Sequence, residues 1–206
     1  MTKQELIDCE NNIIQLFEDG EIPYLTHFCG GNEEQLISIF KDIKPGDYIF
    51  STHRAHYHYL LAGGQPEELK EKILAGKGMY LFSKELNFLS TSIVAGGPCI
   101  AAGIALGLKM SQSAKRVWCF VGDGAEDEGH FYEAVRFVEG QDLPCIFVIE
   151  DNDRSVTTPK KDRYGDHGFN WNSKHVIRYT YTPVYPHAGT NSGKMIKFKI
   201  NEGTKL

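Results

Sequence analysis

The chain of 206 residues lacks any apolar run approaching the length of a membrane span, so no transmembrane helix is expected. Its opening residues, Met1-Thr2-Lys3-Gln4-Glu5, lack the apolar segment of a secretory signal. No Cys-x-x-Cys pair occurs among Cys9, Cys29, Cys99, Cys119 and Cys145. An odd set of five without paired spacing argues against a disulfide or zinc framework and for the reduced, mostly buried thiols of a cytoplasmic protein. A basic excess is missing too: 22 Lys and Arg face 27 Asp and Glu, for a net charge of −5. Without a basic field there is no general nucleic-acid footprint, and an anion must be held locally, by a metal, a helix start or a few basic residues. Internal repeats and low-complexity tracts are absent as well.

What is present fits one α/β domain with its own core: 41% hydrophobic and 24% charged residues in a length too short for two large domains. The most informative stretch runs from Val117 to Asn152. Val117 to Val121 is a short apolar run ending in Gly122-Asp123-Gly124, and Cys145 to Ile149 is a second, ending in Glu150-Asp151-Asn152. Between them lies room for one helix, with Phe131, Ala134, Val135 and Val138 on one face. A strand, helix, strand unit crosses over right-handed and leaves both strand ends on one sheet edge. Asp123 and Asn152, 29 positions apart, are thereby expected to approach each other. One carboxylate and one amide oxygen suit magnesium or calcium that already carries a diphosphate, and Gly122 and Gly124 let a phosphate come close to the backbone. Glu126, Asp127 and Glu128 are read as a solvated acidic helix start.

The Gly-Asp-Gly turn, followed about thirty residues later by a strand ending in Asn, resembles the metal-diphosphate motif of thiamine diphosphate enzymes. With Ala125, Glu128-Gly129, Phe131, Glu133-Ala134, Leu143-Pro144-Cys145 and Glu150-Asp151-Asn152, the chain resembles more narrowly the alpha subunit of the 2-oxo acid dehydrogenases, including the acetoin dehydrogenase branch. The resemblance implies a three-layer α/β/α fold with a mostly parallel central sheet, spanning residues 1–206 as one diphosphate-binding domain. It implies that Asp123, Asn152 and the carbonyl of Arg154 hold Mg2+ or Ca2+, and that Gly122, Gly124 and Ala125 border thiamine diphosphate. The family's decarboxylase then works with a beta-type subunit carrying a pyrimidine-binding domain, in an α2β2 assembly, and hands its product to a lipoyl-bearing acyltransferase.

Taken in order, Thr2 and Glu5 form a candidate capping box before Leu6, Cys9, Ile13 and Phe17, which recur at helical spacing until Gly20. Two docking surfaces are open to this helix over 2–19: its own domain or, as the resemblance implies, a neighbouring subunit. His27 lies ahead of a second helix carrying Leu36, Ile37, Phe40 and Ile43, with Asn32 as N-cap, followed by a turn and a strand at Tyr48 to Phe50. Then comes His53-Arg54-Ala55-His56-Tyr57-His58, three histidines and an arginine within six positions. It reads as a metal site, a solvated helix start or an anion pocket. Acetoin-type alpha subunits have a similar pattern, which implies His53 and Arg54 at the cofactor and His56 and His58 nearer the substrate.

Pro66 opens a short helix closed by Gly76, and 79–92 shows no clean period and reads as a loop over the site. The family's His-Met pattern is missing from that loop. Ile93-Val94-Ala95-Gly96-Gly97 stands where the family has Ile-Val-Gly-Gly-Gly, whose backbone meets the aminopyrimidine, which implies cofactor contacts by Ile93, Ala95, Gly96 and Gly97. In the helix that follows, Gly103 and Gly107 share a face and are expected to pack closely. Residues 153–166 read as a mobile polar loop, 171–181 as one strand and 194–200 as an edge strand. His187, in Tyr185-Pro186-His187, resembles the family's late-loop histidine near the diphosphate or substrate. Two alternatives stay open: the amino-terminal half of a split transketolase, against which Gly124-Ala125 and His53-Arg54 speak, and a non-catalytic homologue, which Asp151 in place of the family's Asn keeps open.

Overall fold

The computed structural model describes residues 1–164 and 170–192. Helix α1 (Lys3–Glu18) begins at the expected capping box, with Thr2 Oγ1 accepting from the Glu5 amide at 3.2 Å and Glu5 Oε2 accepting from the Thr2 amide at 2.7 Å. Its Leu6, Ile13 and Phe17 are buried in the core of this same chain, beside α2 (Glu33–Phe40). Ile43 lies past the end of α2. Asn32 sits at the N-cap position, yet its side chain makes no cap bond. Its amide is drawn instead to Glu150 and Tyr179, at 3.2 and 3.0 Å.

Strand β1 (Tyr48–Ser51) leads to α3 (His56–Leu61) and α4 (Pro66–Leu74). The stretch read as an unstructured loop contains two strands, β2 (Phe82–Ser83) and β3 (Phe88–Ser90). β3 is too short to show a period, and it is a strand because β1 pairs with it in parallel register, Ile49 opposite Phe88 and Ser51 opposite Ser90. Helix α5 (Gly96–Met110) then crosses to β4 (Val117–Gly122), followed by the single turn α6 (Asp123–Glu126), α7 (Gly129–Gly140) and β5 (Cys145–Asp151). Residues after β5, expected to be a featureless loop, form the ribbon β6 (Arg154–Ser155) and β7 (Thr158–Pro159) and the short α8 (Lys160–Tyr164). Strand β8 (Val176–Thr180) falls within the expected span, and the edge strand read at 194–200 lies outside the described residues.

The main sheet has the order β2-β3-β1-β4-β5-β8 and is parallel apart from β2. Its central strands β4 and β5 are largely apolar on both faces because both are covered. From β4, Trp118 and Phe120 enter one core with Leu6, Leu36, Tyr57 and Leu69 of the first four helices, while Val117, Cys119 and Val121 enter another with Ala101, Ala105, Phe131 and Val135 of α5 and α7. This is the expected three-layer α/β/α arrangement. Each fully buried apolar side chain contributes about 1.5–3 kcal/mol, so the strand interiors hold the frame and leave the strand ends free for chemistry. Gly103 and Gly107 do not pack within the chain: both are exposed on α5, with nothing within 4 Å of a side chain built there. Among the described residues no helix is long and apolar enough to cross a membrane.

Chain order reverses between β1 and β4: β3 lies on one side of β1 and β4 on the other. In open α/β sheets such a switch point leaves a crevice at the carboxyl ends of the strands.

Candidate functional site

A cavity of about 650 Å3 opens at this switch point. Ser51 and the residues after it form one wall, Gly122, Gly124 and Ala125 at and beyond the end of β4 a second, and Glu150, Asn152 and Arg154 at and beyond the end of β5 a third. The start of α5, Ile93 through Gly97, closes one end, and the segment from Pro183 to His187 covers the other. Of the residues singled out from sequence, His53, Arg54, Ile93, Ala95, Gly96, Gly97, Gly122, Gly124, Ala125, Asn152, Arg154 and His187 line this cavity. Asp123, His56 and His58 do not.

Asp123 lies just below the wall at 1% exposure. Because β4 and β5 pair Gly122 with Glu150, Asp123 one residue past the first and Asn152 two past the second emerge on one edge. Asp123 Oδ2 accepts from Arg163 at 2.6 Å, whereas Oδ1 is buried without a hydrogen-bond partner. Burial pushes the Asp123 carboxyl up from its usual range, and Arg163 opposes the rise. Asn152 Oδ1 accepts from the Arg154 amide at 3.1 Å. An uncompensated carboxylate oxygen at the mouth of a parallel sheet, with an amide oxygen on the next strand, is a donor set suited to a hard divalent cation.

His56 and His58 are each 1% exposed, do not line the cavity and bond to interior groups. His56 Nδ1 faces the buried Glu10 carboxylate at 3.0 Å, and that carboxylate also accepts from the Cys29 amide at 2.8 Å. His58 Nε2 donates to Glu150 at 3.2 Å, which leaves Nδ1 to accept from the Ser51 hydroxyl at 2.6 Å. Helical spacing turned both rings inward, a direction that a histidine count along the sequence does not reveal.

Glu150, named in sequence only as part of the strand-end motif, has a structural role of its own. It lines the cavity and gathers Tyr179 at 2.5 Å, Asn32 and His58 on one oxygen. Its position near the carboxyl end of β5, two residues before Asn152, was the available signal. Glu126 is also corrected. It is buried, not solvated, and binds Trp171 Nε1 at 2.8 Å and the Arg178 guanidinium. Asp151 is held below the usual carboxylate range, against its burial, by Lys160, the Asp153 amide and Arg178.

Arg54 holds the covering segment in place, donating to the carbonyls of Phe28 at 2.5 Å, Pro186 at 3.1 Å and His187 at 3.0 Å. His27 Nδ1 donates to the same His187 carbonyl at 2.5 Å. The rings of His27, His53 and His187 cluster, with centroids 4.4 Å apart for the first pair and 4.6 Å for His27 and His187. Burial lowers His27 to about 4 and His53 to about 2, and it lowers His187 as well; Arg54 lowers all three further. The three are neutral at pH 7, and the guanidinium beside them favours an anion over a cation.

A neutral buried imidazole gives a signed pH dependence. Below pH 6.5 the unfolded chain binds protons at His27 and His53 that the folded chain refuses, so stability is complete above 6.5 and falls as the pH drops. For His27 the gap between 6.5 and about 4 corresponds to roughly 3 kcal/mol. Thermal denaturation between pH 7 and pH 4.5 is therefore expected to show a falling midpoint whose slope is shallower in His27→Gln. An unchanged slope would remove His27 from this role.

The start of α5 places Ala95 at φ 50, the left-handed region that costs roughly 1–2 kcal/mol for a residue with a Cβ. The first residues of this 15-residue helix, Gly96 to Pro98, line the cavity, where a helix N-terminus favours negative charge.

Comparison with known proteins shows that the dehydrogenase E1 component family matches residues 1–169. The alpha subunit of the acetoin:2,6-dichlorophenolindophenol oxidoreductase of Bacillus subtilis is 32% identical over 165 residues, covering 75% of this chain and 50% of that protein. The mitochondrial pyruvate dehydrogenase E1 component subunit alpha of Dictyostelium discoideum is 29% identical over 200 residues, 92% of this chain and 50% of that one. The chain spans about half the length of the curated relatives it matches.

Proposed function

Since the chain belongs to the dehydrogenase E1 component family, we propose that it is the diphosphate-binding subunit of a thiamine diphosphate-dependent enzyme acting on a 2-oxo acid or an acetoin-like ketone. The observation that carries this reading is the buried, unpartnered Oδ1 of Asp123 at the switch point of the sheet. In this reading Asp123, Asn152 and the Arg154 carbonyl hold Mg2+ or Ca2+, and the diphosphate lies against Gly122, Gly124 and Ala125. His53 and the remaining donors of Arg54 face its oxygens. The backbone of Ile93, Ala95, Gly96 and Gly97 receives the aminopyrimidine. Thiamine diphosphate, when bound, supplies an electron sink for losing carbon dioxide or cleaving a carbon-carbon bond beside a carbonyl.

The chain's own residues do the rest. His187, held by its carbonyl to Arg54 and His27, offers a neutral imidazole at the mouth to move a proton at the substrate oxygen. His56 and His58 act as positioning residues that fix Glu10 and Glu150 beneath the site. The covering segment from Pro183 to His187 limits water.

The same reading places the tautomer-promoting glutamate on a beta-type subunit, in an α2β2 assembly that also delivers to a lipoyl-bearing acyltransferase, with residues 1–206 contributing one diphosphate-binding domain. Supporting a partner at the mouth, Leu25, Ile93, Val94, Val156 and Val184 are all exposed apolar side chains on the cavity rim. The test is reconstitution: the chain alone is expected to bind cofactor with magnesium weakly and turn over no 2-oxo acid or acetoin, and a beta-type subunit to restore turnover. Full activity from the isolated chain would refute a site shared between chains.

A further inference from the structure

Arg163 stands in an unusual place. It belongs to α8, on the segment after the ribbon, and its side chain is only 9% exposed. Nη2 donates to Asp123 Oδ2 at 2.6 Å, and Nε lies 3.2 Å from Asp127 Oδ2 without hydrogen-bond alignment. Nη1 has no acceptor. The same segment presses on the Gly-Asp-Gly turn, where a side chain added at Gly124 would overlap Ser155 and meet Arg163 Nη1 at 3.1 Å. A guanidinium thus sits between two carboxylates, beside the backbone that borders the cavity.

The buried Asp123 carboxylate without a cation would be costly, with the partly exposed Asp127 adding a second negative charge, because a buried charge needs a partner. Arg163 provides that partner, but poorly: one aligned hydrogen bond, with two further donors buried and unsatisfied, forfeits much of what a well-made pair contributes. A hard divalent cation would satisfy the free Asp123 Oδ1 and carry the charge that Arg163 now carries. Resting on the reading of Asp123 as a metal ligand, we infer that Arg163 is a resident counter-ion that holds the cation position in the unloaded chain and must leave when a divalent cation and diphosphate enter. Its departure lifts Ser155 off Gly124 and opens the backbone for a phosphate. The segment from Ser155 to Tyr164 is therefore a gate for cofactor loading, and its ion pair sets the affinity.

The test uses the full chain, Mn2+ and inorganic diphosphate, following free Mn2+ by electron paramagnetic resonance. Arg163→Gln, which removes the competitor, is expected to bind Mn2+ about tenfold more tightly than the unaltered chain, while its melting temperature without metal falls. Arg163→Lys, which keeps the charge, is expected to stay within threefold of the unaltered chain. A readout that needs no variant is hydrogen exchange: adding Mn2+ and diphosphate should speed exchange across 155–164 and leave β4 unchanged. Binding by the unaltered chain with no tightening in Arg163→Gln, or with unchanged exchange over 155–164, overturns the gate and leaves the metal site standing. Absence of Mn2+ binding in every variant overturns both.

Discussion

Asp123→Asn is expected to weaken magnesium-dependent binding of thiamine diphosphate by at least about 100-fold, equivalent to roughly 3 kcal/mol. The substitution keeps the shape and an oxygen at the Oδ1 position and removes only the charge. Within a buried edge that charge is the main attraction for a divalent cation, since Asn152 offers a dipole and the Arg154 carbonyl another. A second consequence follows from Arg163, which keeps only the misaligned Asp127 when the Asp123 charge is gone. Breaking one partner of a buried pair destabilises by about 3–5 kcal/mol. The double variant Asp123→Asn with Arg163→Gln separates the two effects: it is expected to recover much of the stability and none of the affinity. Calorimetric titration alongside thermal denaturation reads both, and unaltered cofactor affinity in Asp123→Asn would remove Asp123 from the site.

The second large effect concerns backbone. Gly31 has φ +97, and a Cβ built there overlaps the Thr182 carbonyl oxygen. The neighbouring backbone is laced to the covering segment: the Val184 amide donates to the Gly30 carbonyl at 3.3 Å, and the Gly189 amide to the Thr26 carbonyl at 2.9 Å. Gly31→Ala combines a torsion that alanine resists with an overlap against main chain, which has no rotamer to yield. A loss of about 3–4 kcal/mol in unfolding free energy is expected. Cofactor affinity should fall with it, because the shift carries His187 away from His27 and Arg54. Gly103→Ala is the control: in an open stretch of α5 it should stabilise by about 0.5–1 kcal/mol. Equal midpoints for the two variants in urea would contradict the packing described.

The central unit was legible because its signals are local. Two apolar strands, a 29-residue interval and a Gly-Asp-Gly turn suffice to place Asp123 and Asn152 on one edge, since parallel pairing follows from the crossover. The capping box of α1 and the buried face of α7 were readable for the same reason. What escaped depends on partners far along the chain. Glu126 looks like a solvated acid until Trp171 and Arg178 arrive, 45 and 52 positions later, to bury it. Arg163 gives no sign in sequence of reaching back 40 residues to Asp123. β3 is a strand only because β1 lies beside it. His56 and His58 drew notice by residue type, yet α3 directs them inward to Glu10 and Glu150. Gly103 and Gly107 were expected to be packed against, and they face outward instead.

The most direct measurement is a crystal of the chain, with its partner subunit, grown with Mn2+ and thiamine diphosphate and recorded at the manganese absorption edge. An anomalous peak within coordination distance of Asp123 Oδ1 and Asn152 Oδ1, with the diphosphate along Gly122 to Ala125 and Arg163 turned out, is the expected result. Cofactor absent from the cavity, or manganese elsewhere while Asp123 still faces Arg163, would contradict it.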